Sequence, residues 1–151
     1  MNIFRSSLFA VSLALLAACH EQSTQTTQES AAPAPTGPQC YAHTSATDTI
    51  RLMLQTTQPA ATGQLTYHYF EKDRNRGTIS GTMHGDTLLA DYTFQSEGTT
   101  SVRQVAFLRR DIGFIEGFGP VAERSGKTVF TRPHALTFDA KYTLIPVACT
   151  K

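Results

Sequence analysis

GTISGTMHGDTLLADYTFQSEGTTSVRQVAFLRRDIGFIEGF, residues 77–118, is the stretch that decides the fold. Between residues 87 and 96, one face carries Leu88, Ala90, Tyr92 and Phe94 and the other carries Asp91, Thr93 and Gln95, which is the period of a strand with one buried face. Short glycine-containing segments such as Glu97-Gly98 separate the patterned runs and are typical of hairpin turns. We therefore predict successive antiparallel strands, over residues 78–83, 87–96, 99–109 and 114–118.

The same alternation continues on both sides of this stretch. Residues 48–55 carry Ile50, Leu52 and Leu54 on one face. Further short strands are predicted between Gly or Pro breaks, over residues 64–70, 121–124, 127–130 and 142–147. No sustained helical period follows residue 40. We predict an all-β domain, a small antiparallel meander closed into a barrel of about eight strands, because closure removes exposed sheet edges. A β-sandwich is the alternative.

Residues 99–109 differ from the other strands because both of their faces are apolar. Val105 and Phe107 lie on one side, whereas Val102, Ala106 and Leu108 lie on the other. This pattern predicts that one face covers the interior while the other meets a neighbouring element or a partner.

The charge balance limits the kinds of partner. The chain has 13 Lys and Arg against 12 Asp and Glu, and loss of residues 1–18 would remove only Arg5 from this count. A balanced chain has no excess charge with which to hold nucleic acid or an anionic surface. Its 151 residues leave room for one domain.

The N-terminus has the pattern of a secretion signal. Arg5 precedes an apolar run that is too short to span a bilayer comfortably. The following Leu16-Ala17-Ala18-Cys19 resembles the lipobox of bacterial lipoproteins. The resemblance implies cleavage before Cys19 and attachment of acyl chains, such as palmitate, to that cysteine. An ordinary signal peptide followed by a chance cysteine is the alternative.

Lipidation would determine where the protein resides. Each buried CH₂ contributes about 0.8 kcal/mol, so two or more acyl chains on Cys19 would attach the protein persistently to a membrane. His20 follows the cysteine instead of Asp, and by analogy with Gram-negative lipoproteins this implies the outer membrane. Display on its periplasmic or its outer face is left open.

The predicted organisation has three parts. Residues 1–18 are the lipoprotein signal peptide, residues 19–39 are the lipidated cysteine with a disordered tether, and residues 40–151 form the β domain. The tether is rich in Gln, Ser, Thr, Ala and Pro, and buries too little apolar surface to offset its ordering entropy. A coil of this length spans roughly 25 Å.

The lipobox resemblance determines which cysteines are available to form a disulfide. Of the three cysteines, Cys40 and Cys149 remain if Cys19 is lipidated, and they have one possible pairing. The compartment beyond the inner membrane is oxidising, so a Cys40–Cys149 disulfide is predicted. A metal site is the weaker alternative, since neither cysteine has a second ligand at a zinc-type spacing.

The candidate binding residues lie in two predicted loops. The first is the densest charge cluster in the chain and the second is a tight turn: Glu71, Lys72, Asp73, Arg74, Asn75 and Arg76, then His84 and Asp86. The first loop resembles the start of a calcium-binding loop, but Gly77, Thr78 and His84 stand where that motif needs Asp or Asn, Gly and Glu. A solvated loop shaped by Asx turns is favoured, and no metal or cofactor is predicted.

No set of residues predicts catalysis. Ser80 lies in GTISG, which is not a nucleophile elbow, and Gly126-Lys127-Thr128 lacks the upstream glycine of a phosphate-binding loop. Glu97, Arg103 and Glu116 could meet across neighbouring strands, where an ion-pair ladder is favoured over an acid/base pair. The protein is therefore predicted not to be an enzyme.

Two resemblances guide the functional hypotheses. The chain is similar to small bacterial lipoproteins with one all-β domain, and its layout resembles the lysozyme-inhibitor lipoproteins. The inhibitory loop of that family carries Ser-Gly-x-x-Tyr, whereas Ser80-Gly81 is followed here by His84 at the Tyr position. We predict a non-catalytic envelope lipoprotein that binds a protein or cell-wall partner through its loops. A carrier of a small apolar ligand and a lysozyme-type inhibitor are the alternatives.

Overall fold

The computed structural model describes residues 37–72, 74–96 and 98–149. The predicted signal peptide, the lipidation site Cys19 and the tether up to residue 36 lie outside the described residues, as do Asp73 and Glu97. The strands are β1 Gln39–Thr44, β2 Thr49–Thr56, β3 Ala61–His68, β4 Asn75–His84, β5 Thr87–Ser96, β6 Thr99–Arg110, β7 Gly113–Phe118, β8 Val121–Arg124, β9 Lys127–Phe130 and β10 Thr137–Val147.

Eight of these strands close into an antiparallel barrel, which confirms the predicted fold class. Around the ring the order is β5-β4-β3-β2-β1-β10-β7-β6, and pairing of β5 with β6 closes it. The hairpin of β8 and β9 lies outside the ring and joins it at one parallel bridge between Arg103 and Thr128. The barrel therefore replaces the β-sandwich alternative.

The barrel interior is filled by side chains from alternate positions of the strands, as the period of two requires. The largest fully buried side chains are Tyr67, Tyr92, Phe107, Phe114, Ile50, Leu52, Leu54, Leu65, Ile79, Leu88 and Leu144. Gly77 has an inward position where β4 approaches β5, and a Cβ there would overlap the backbone oxygen of Thr93. Glycine at this position lets the wall bend around the packed interior.

A disulfide joins the two ends of the barrel chain, which confirms the predicted pairing. Cys40 in β1 is bonded to Cys149, with 5.2 Å between their Cα atoms and a sequence separation of 109. Because β1 and β10 are neighbours in the ring, the bond lies beside the seam that they form.

The outer apolar face of β6 is covered by the chain's own later residues. Ala106 is fully buried although it points away from the interior. Gln104 Oε1 accepts a hydrogen bond of 3.0 Å from the backbone N–H of Phe130, which fixes β9 against this face. The neighbour predicted from the sequence is thus found within the same domain.

Antiparallel order places the connections alternately at the two ends of the barrel. The β1–β2, β3–β4 and β5–β6 connections lie at one end, which we call the rim end. The β4–β5 and β6–β7 connections lie at the other end with the disulfide, which we call the disulfide end.

Candidate functional site

Four aromatic side chains surround the opening at the rim end, and we call them the aromatic rim: Tyr69, Phe70, Phe118 and Tyr142. Together with Asp48 and Lys72 they line a depression of about 580 Å³. Phe70 is 62% exposed and Phe118 is 47% exposed, so both rings present apolar surface to solvent. Large apolar side chains grouped around a depression indicate a contact surface.

Local hydrogen bonds hold Phe70 in this exposed position. The carboxylate oxygen Oδ1 of Asp48 accepts a bond of 2.9 Å from the Phe70 N–H, which links the β1–β2 and β3–β4 connections. The Lys72 N–H donates to the Tyr69 carbonyl at 3.2 Å, and Glu71 adopts a φ of 53°. The turn thus directs Phe70 outward by its backbone geometry.

A group of polar side chains lies inside the barrel below the rim, and we call it the buried polar cluster: Tyr67, Tyr92, Arg103 and Glu116. The Tyr67 hydroxyl donates a hydrogen bond of 2.5 Å to Glu116 Oε1. These residues come from β3 and β7, which are four steps apart around the eight-stranded ring, so the bond crosses the interior. Glu116 is only 4% exposed.

Arg103 packs on aromatic rings within the same cluster. Its guanidinium carbon lies 4.9 Å from the centre of the Tyr67 ring and 5.6 Å from the centres of the Tyr92 and Phe94 rings. Such cation–π contacts stabilise a charge that is partly shielded from water. The predicted ion-pair ladder does not form between the two described members, because the only salt bridge among the described residues joins Lys127 to Asp91.

A side opening reaches the cluster because β6 and β7 separate toward the rim end. Their pairing stops at Ala106 and Gly117, and β9 meets β6 beyond that point through the single bridge at Arg103. The resulting lateral pocket has a volume of about 260 Å³ and is lined by Arg103 and Glu116 among others. Tyr69 and Phe118 are shared between this pocket and the rim depression.

Glu116 is the member of the cluster whose charge changes near neutral pH. Burial raises the pKa of Glu116 to about 7, although the Tyr67 hydrogen bond and the Arg103 charge both act to lower it. Burial also raises the pKa of Tyr92 to about 12, so that hydroxyl stays neutral.

Several buried polar side-chain atoms have no hydrogen-bond partner among the described residues. They are Glu116 Oε2, Arg103 Nε, Tyr92 Oη and Asn75 Oδ1. Native proteins leave few such atoms, and each one indicates a bound water, an ion or a ligand group.

The raised pKa predicts that stability falls as the pH rises from about 4.5 to about 7. Below this window Glu116 is protonated in the folded and the unfolded chain alike. Within it the unfolded chain loses its proton first, so the free energy of unfolding decreases, by on the order of 3 kcal/mol in total. Urea unfolding of the wild type and of Glu116→Gln across this window measures the effect. The amide does not titrate, so an equal pH slope in both proteins would contradict the assignment.

The structure separates the residues that the first predicted loop brought together. Glu71 and Lys72 lie in the rim-end turn, whereas Asn75 and Arg76 already belong to β4, which corrects the predicted loop boundary. Asn75 is half-buried with its Oδ1 atom unpartnered. The loop ends early because Arg76 pairs with Thr66 of β3 and extends the ladder.

Arg74 and Arg76 lie on the outer surface of the barrel. With Arg51 of β2 they line a shallow depression of about 310 Å³, and Arg76 Nη2 donates a bond of 3.2 Å to Gln64 Oε1. The total charge of the chain is balanced, but folding collects these three arginines on one face.

His84 and Asp86 lie at the disulfide end, away from the other candidates. They flank the β4–β5 turn, in which Gly85 has a φ of 59°. His84 Nε2 and Thr82 Oγ1 are 2.9 Å apart, and the Asp86 carbonyl accepts from Arg109 N–H at 2.7 Å. Since the ten-residue β4 spans roughly 30 Å, the two predicted loops cannot form one contact site.

Two further findings bear on cofactors and membranes. Among residues 37–72, 74–96 and 98–149, no group of three or more His, Cys, Asp or Glu side chains is placed to hold a metal ion. Within the same ranges, no helix has the length and apolarity needed to cross a membrane.

Fold and site together define a closed eight-stranded antiparallel barrel with a filled interior, an exposed aromatic rim and a lateral polar pocket. Neither the family models, nor the curated proteins, nor the solved structures with which the chain was compared gave a match. The function is therefore inferred from this chain's own residues.

Proposed function

We propose that the protein is an envelope lipoprotein, anchored through Cys19 in the outer membrane, whose non-catalytic barrel binds another envelope protein at the aromatic rim. The observation that carries the proposal is the exposure of Phe70 and Phe118 around the rim depression. The sequence resemblance to the lipobox supports the anchor.

The chemistry of the rim favours a polypeptide partner. Aromatic side chains dominate the binding energy of protein interfaces when they are clustered and lose their water on contact. Here the aromatic rim is bordered by one acidic and one basic side chain, Asp48 and Lys72. Opposite charges at a border can fix the orientation of a partner while the rings supply apolar area.

The position of the chain termini is consistent with binding at the rim. β1 begins at the disulfide end, so the residues that lead back to Cys19 join the barrel at the end opposite the rim. Cys149 is tied to the same end. A partner at the rim would therefore contact the barrel far from the point of attachment.

The filled interior distinguishes this proposal from an apolar carrier. A carrier in a small barrel needs an enclosed space, but the interior is occupied by residues such as Phe107, Phe114 and Leu144. The Tyr67–Glu116 bond also crosses the interior below the rim. A ligand large enough to be cargo would have to displace this packing.

Contact at the rim can be tested with a photo-cross-linking residue at position 70 or at position 112 in living cells. We expect a discrete adduct with one protein from position 70 and none from position 112. Ile112 is a matched control, because it is 75% exposed and apolar but lies at the disulfide end. Phe118→Ala should reduce the position-70 adduct at least about tenfold, as hot-spot truncations do. Equal adducts from both positions, or no adduct from either, would refute the rim as a docking site.

Anchoring is tested separately by Cys19→Ser. Loss of the acyl chains should move the protein from the membrane fraction to the soluble fraction, because the chains supply the attachment. Metabolic labelling with a palmitate analogue should mark the wild type and not the variant. A variant that sediments with membranes as the wild type does would exclude Cys19 as the anchor.

A further inference from the structure

We propose that the lateral pocket between β6 and β7 is a binding site for a small organic carboxylate, with Arg103 holding the carboxylate and Glu116 as its hydrogen-bond partner. This site goes beyond the partner-binding rim and would exist even if the rim bound nothing.

The first support is an arginine that has no ion-pair partner among the described residues. Arg103 makes no salt bridge among the described residues, and its Nε atom is buried without a partner. A guanidinium with a buried N–H group normally pairs with a carboxylate, because its fork of N–H groups matches two carboxylate oxygens. The aromatic rings on which Arg103 packs keep it in place but cannot accept its hydrogen bonds in this way.

The second support is an unpartnered carboxyl group on the adjacent strand β7. Glu116 is 4% exposed, yet its Oε2 atom has no partner among the described residues. Glu116 also lines the lateral pocket directly. A pocket of about 260 Å³ is many times larger than the space one water molecule occupies, so a single trapped water would not fill it.

The side chains that line the lateral pocket indicate the chemistry of the rest of the ligand. Beyond the polar groups the pocket is bordered by Phe118, Val121 and Phe130. These side chains favour an apolar or aromatic body attached to the carboxylate. One anionic group on a compact apolar body therefore matches the charge and the apolar lining of the pocket.

Binding should depend on the protonation of Glu116. The ionisable groups that face it are Tyr67 from β3, Tyr69 just after β3, Tyr92 from β5 and Arg103 from β6. A protonated carboxyl donates a hydrogen bond to a ligand carboxylate, whereas an ionised one repels it. With a Glu116 pKa of about 7, affinity should fall about tenfold between pH values near 6 and near 8.

The test uses the intact mature protein and two pairs of probes, benzoate with benzamide and hexanoate with hexanamide, by calorimetric titration. We expect at least one carboxylate to bind and its amide to bind at least about tenfold more weakly, because the amide lacks the charge that Arg103 recognises. Arg103→Met, which keeps an apolar side chain over the rings, should lose this preference. Glu116→Gln should bind at the higher pH about as well as the wild type binds at the lower pH.

The variants also guard against a trivial loss of folding. If Arg103→Met unfolds, Glu116→Gln still decides, since it retains a hydrogen-bonding group of the same size and must abolish the pH dependence. Equal affinity for carboxylate and amide, no binding of any probe, or an unchanged pH dependence in Glu116→Gln would each overturn the proposal. Phe70 lines the rim depression but not the lateral pocket. Phe70→Ala should therefore leave carboxylate binding unchanged, which distinguishes this site from the rim.

Discussion

Loss of the Cys40–Cys149 disulfide through the double substitution Cys40→Ser and Cys149→Ser should lower the free energy of unfolding by about 4 kcal/mol. The bond closes a loop with a sequence separation of 109, and a loop of about 100 residues corresponds to about 4.7 kcal/mol in the chain-entropy model. The seam it protects is short, since β1 meets β10 at Cys40↔Val147, Tyr41↔Pro146 and Ala42↔Ile145. Pro146 contributes no backbone N–H to that ladder.

Urea unfolding of the oxidised wild type and of the double variant measures this difference. Reduction of the wild type should give the same curve as the variant, because both remove one cross-link without altering the interior. Ile112→Ser is the control, since it adds a polar substitution at the same end while leaving the disulfide intact. A loss below about 1 kcal/mol would mean that the β1–β10 seam is held by packing and that the unfolded chain is already compact.

The sequence was sufficient to predict the strands that alternate cleanly. In β5 the inward positions Leu88, Ala90 and Tyr92 are all buried, and the observed range Thr87–Ser96 matches the predicted one. The β4–β5 turn was also predictable, because Gly85 occupies the left-handed conformation that such a turn requires. In these segments local pattern and tertiary burial agree.

Strands stabilised mainly by their neighbours were harder to delimit. β1 begins at Gln39, the last residue assigned to the tether, and only its pairing with β2 and β10 makes QCYAHT a strand. β10 starts at Thr137 instead of residue 142. A register shift between Phe138 and Thr143 interrupts its pairing with β7, so the first part of the strand was not recognised from alternation. No short-range pattern in the sequence indicates where either strand begins.

The polar interior was partly visible in the sequence. Arg103 lies two residues before Val105 and Glu116 lies two residues after Phe114, so the period of two already placed both on inward faces. Their grouping could be suggested, but the ladder predicted for them was wrong, because Glu116 bonds to Tyr67 across the barrel. A contact between β3 and β7 depends on closure of the ring, which the sequence predicts only as a class of fold.

The aromatic rim was missed for a related reason. Phe70 was included in a predicted strand, whereas it stands in the turn after β3 and is held outward by Asp48. Phe118 and Tyr142 come from distant parts of the chain. An exposed ring and a core ring look alike in a sequence until the strand ends are known.

Phe107→Ala should lower the free energy of unfolding by about 3–5 kcal/mol, the range observed when a buried aromatic ring is removed. Phe107 is fully buried and stands in β6 between Leu88 of β5 and Glu116 of β7, where the pairings that close the ring meet. Loss of the ring removes apolar contacts and leaves a cavity beside a buried carboxyl. Urea unfolding at about pH 4, below the window in which Glu116 ionisation changes stability, measures the packing contribution by itself.

Phe70→Ala provides the matched control, because it deletes the same ring from a site that is 62% exposed and should cost under about 0.5 kcal/mol. A cavity beside Glu116 would also admit water, and hydration of the carboxylate should return its pKa toward the ordinary range. Phe107→Ala should therefore lose stability less steeply than the wild type as the pH rises toward neutrality. An unchanged pH slope together with a small loss of stability would show that the interior collapses around the missing ring, and the high pKa of Glu116 would then need a cause other than the packing of Phe107.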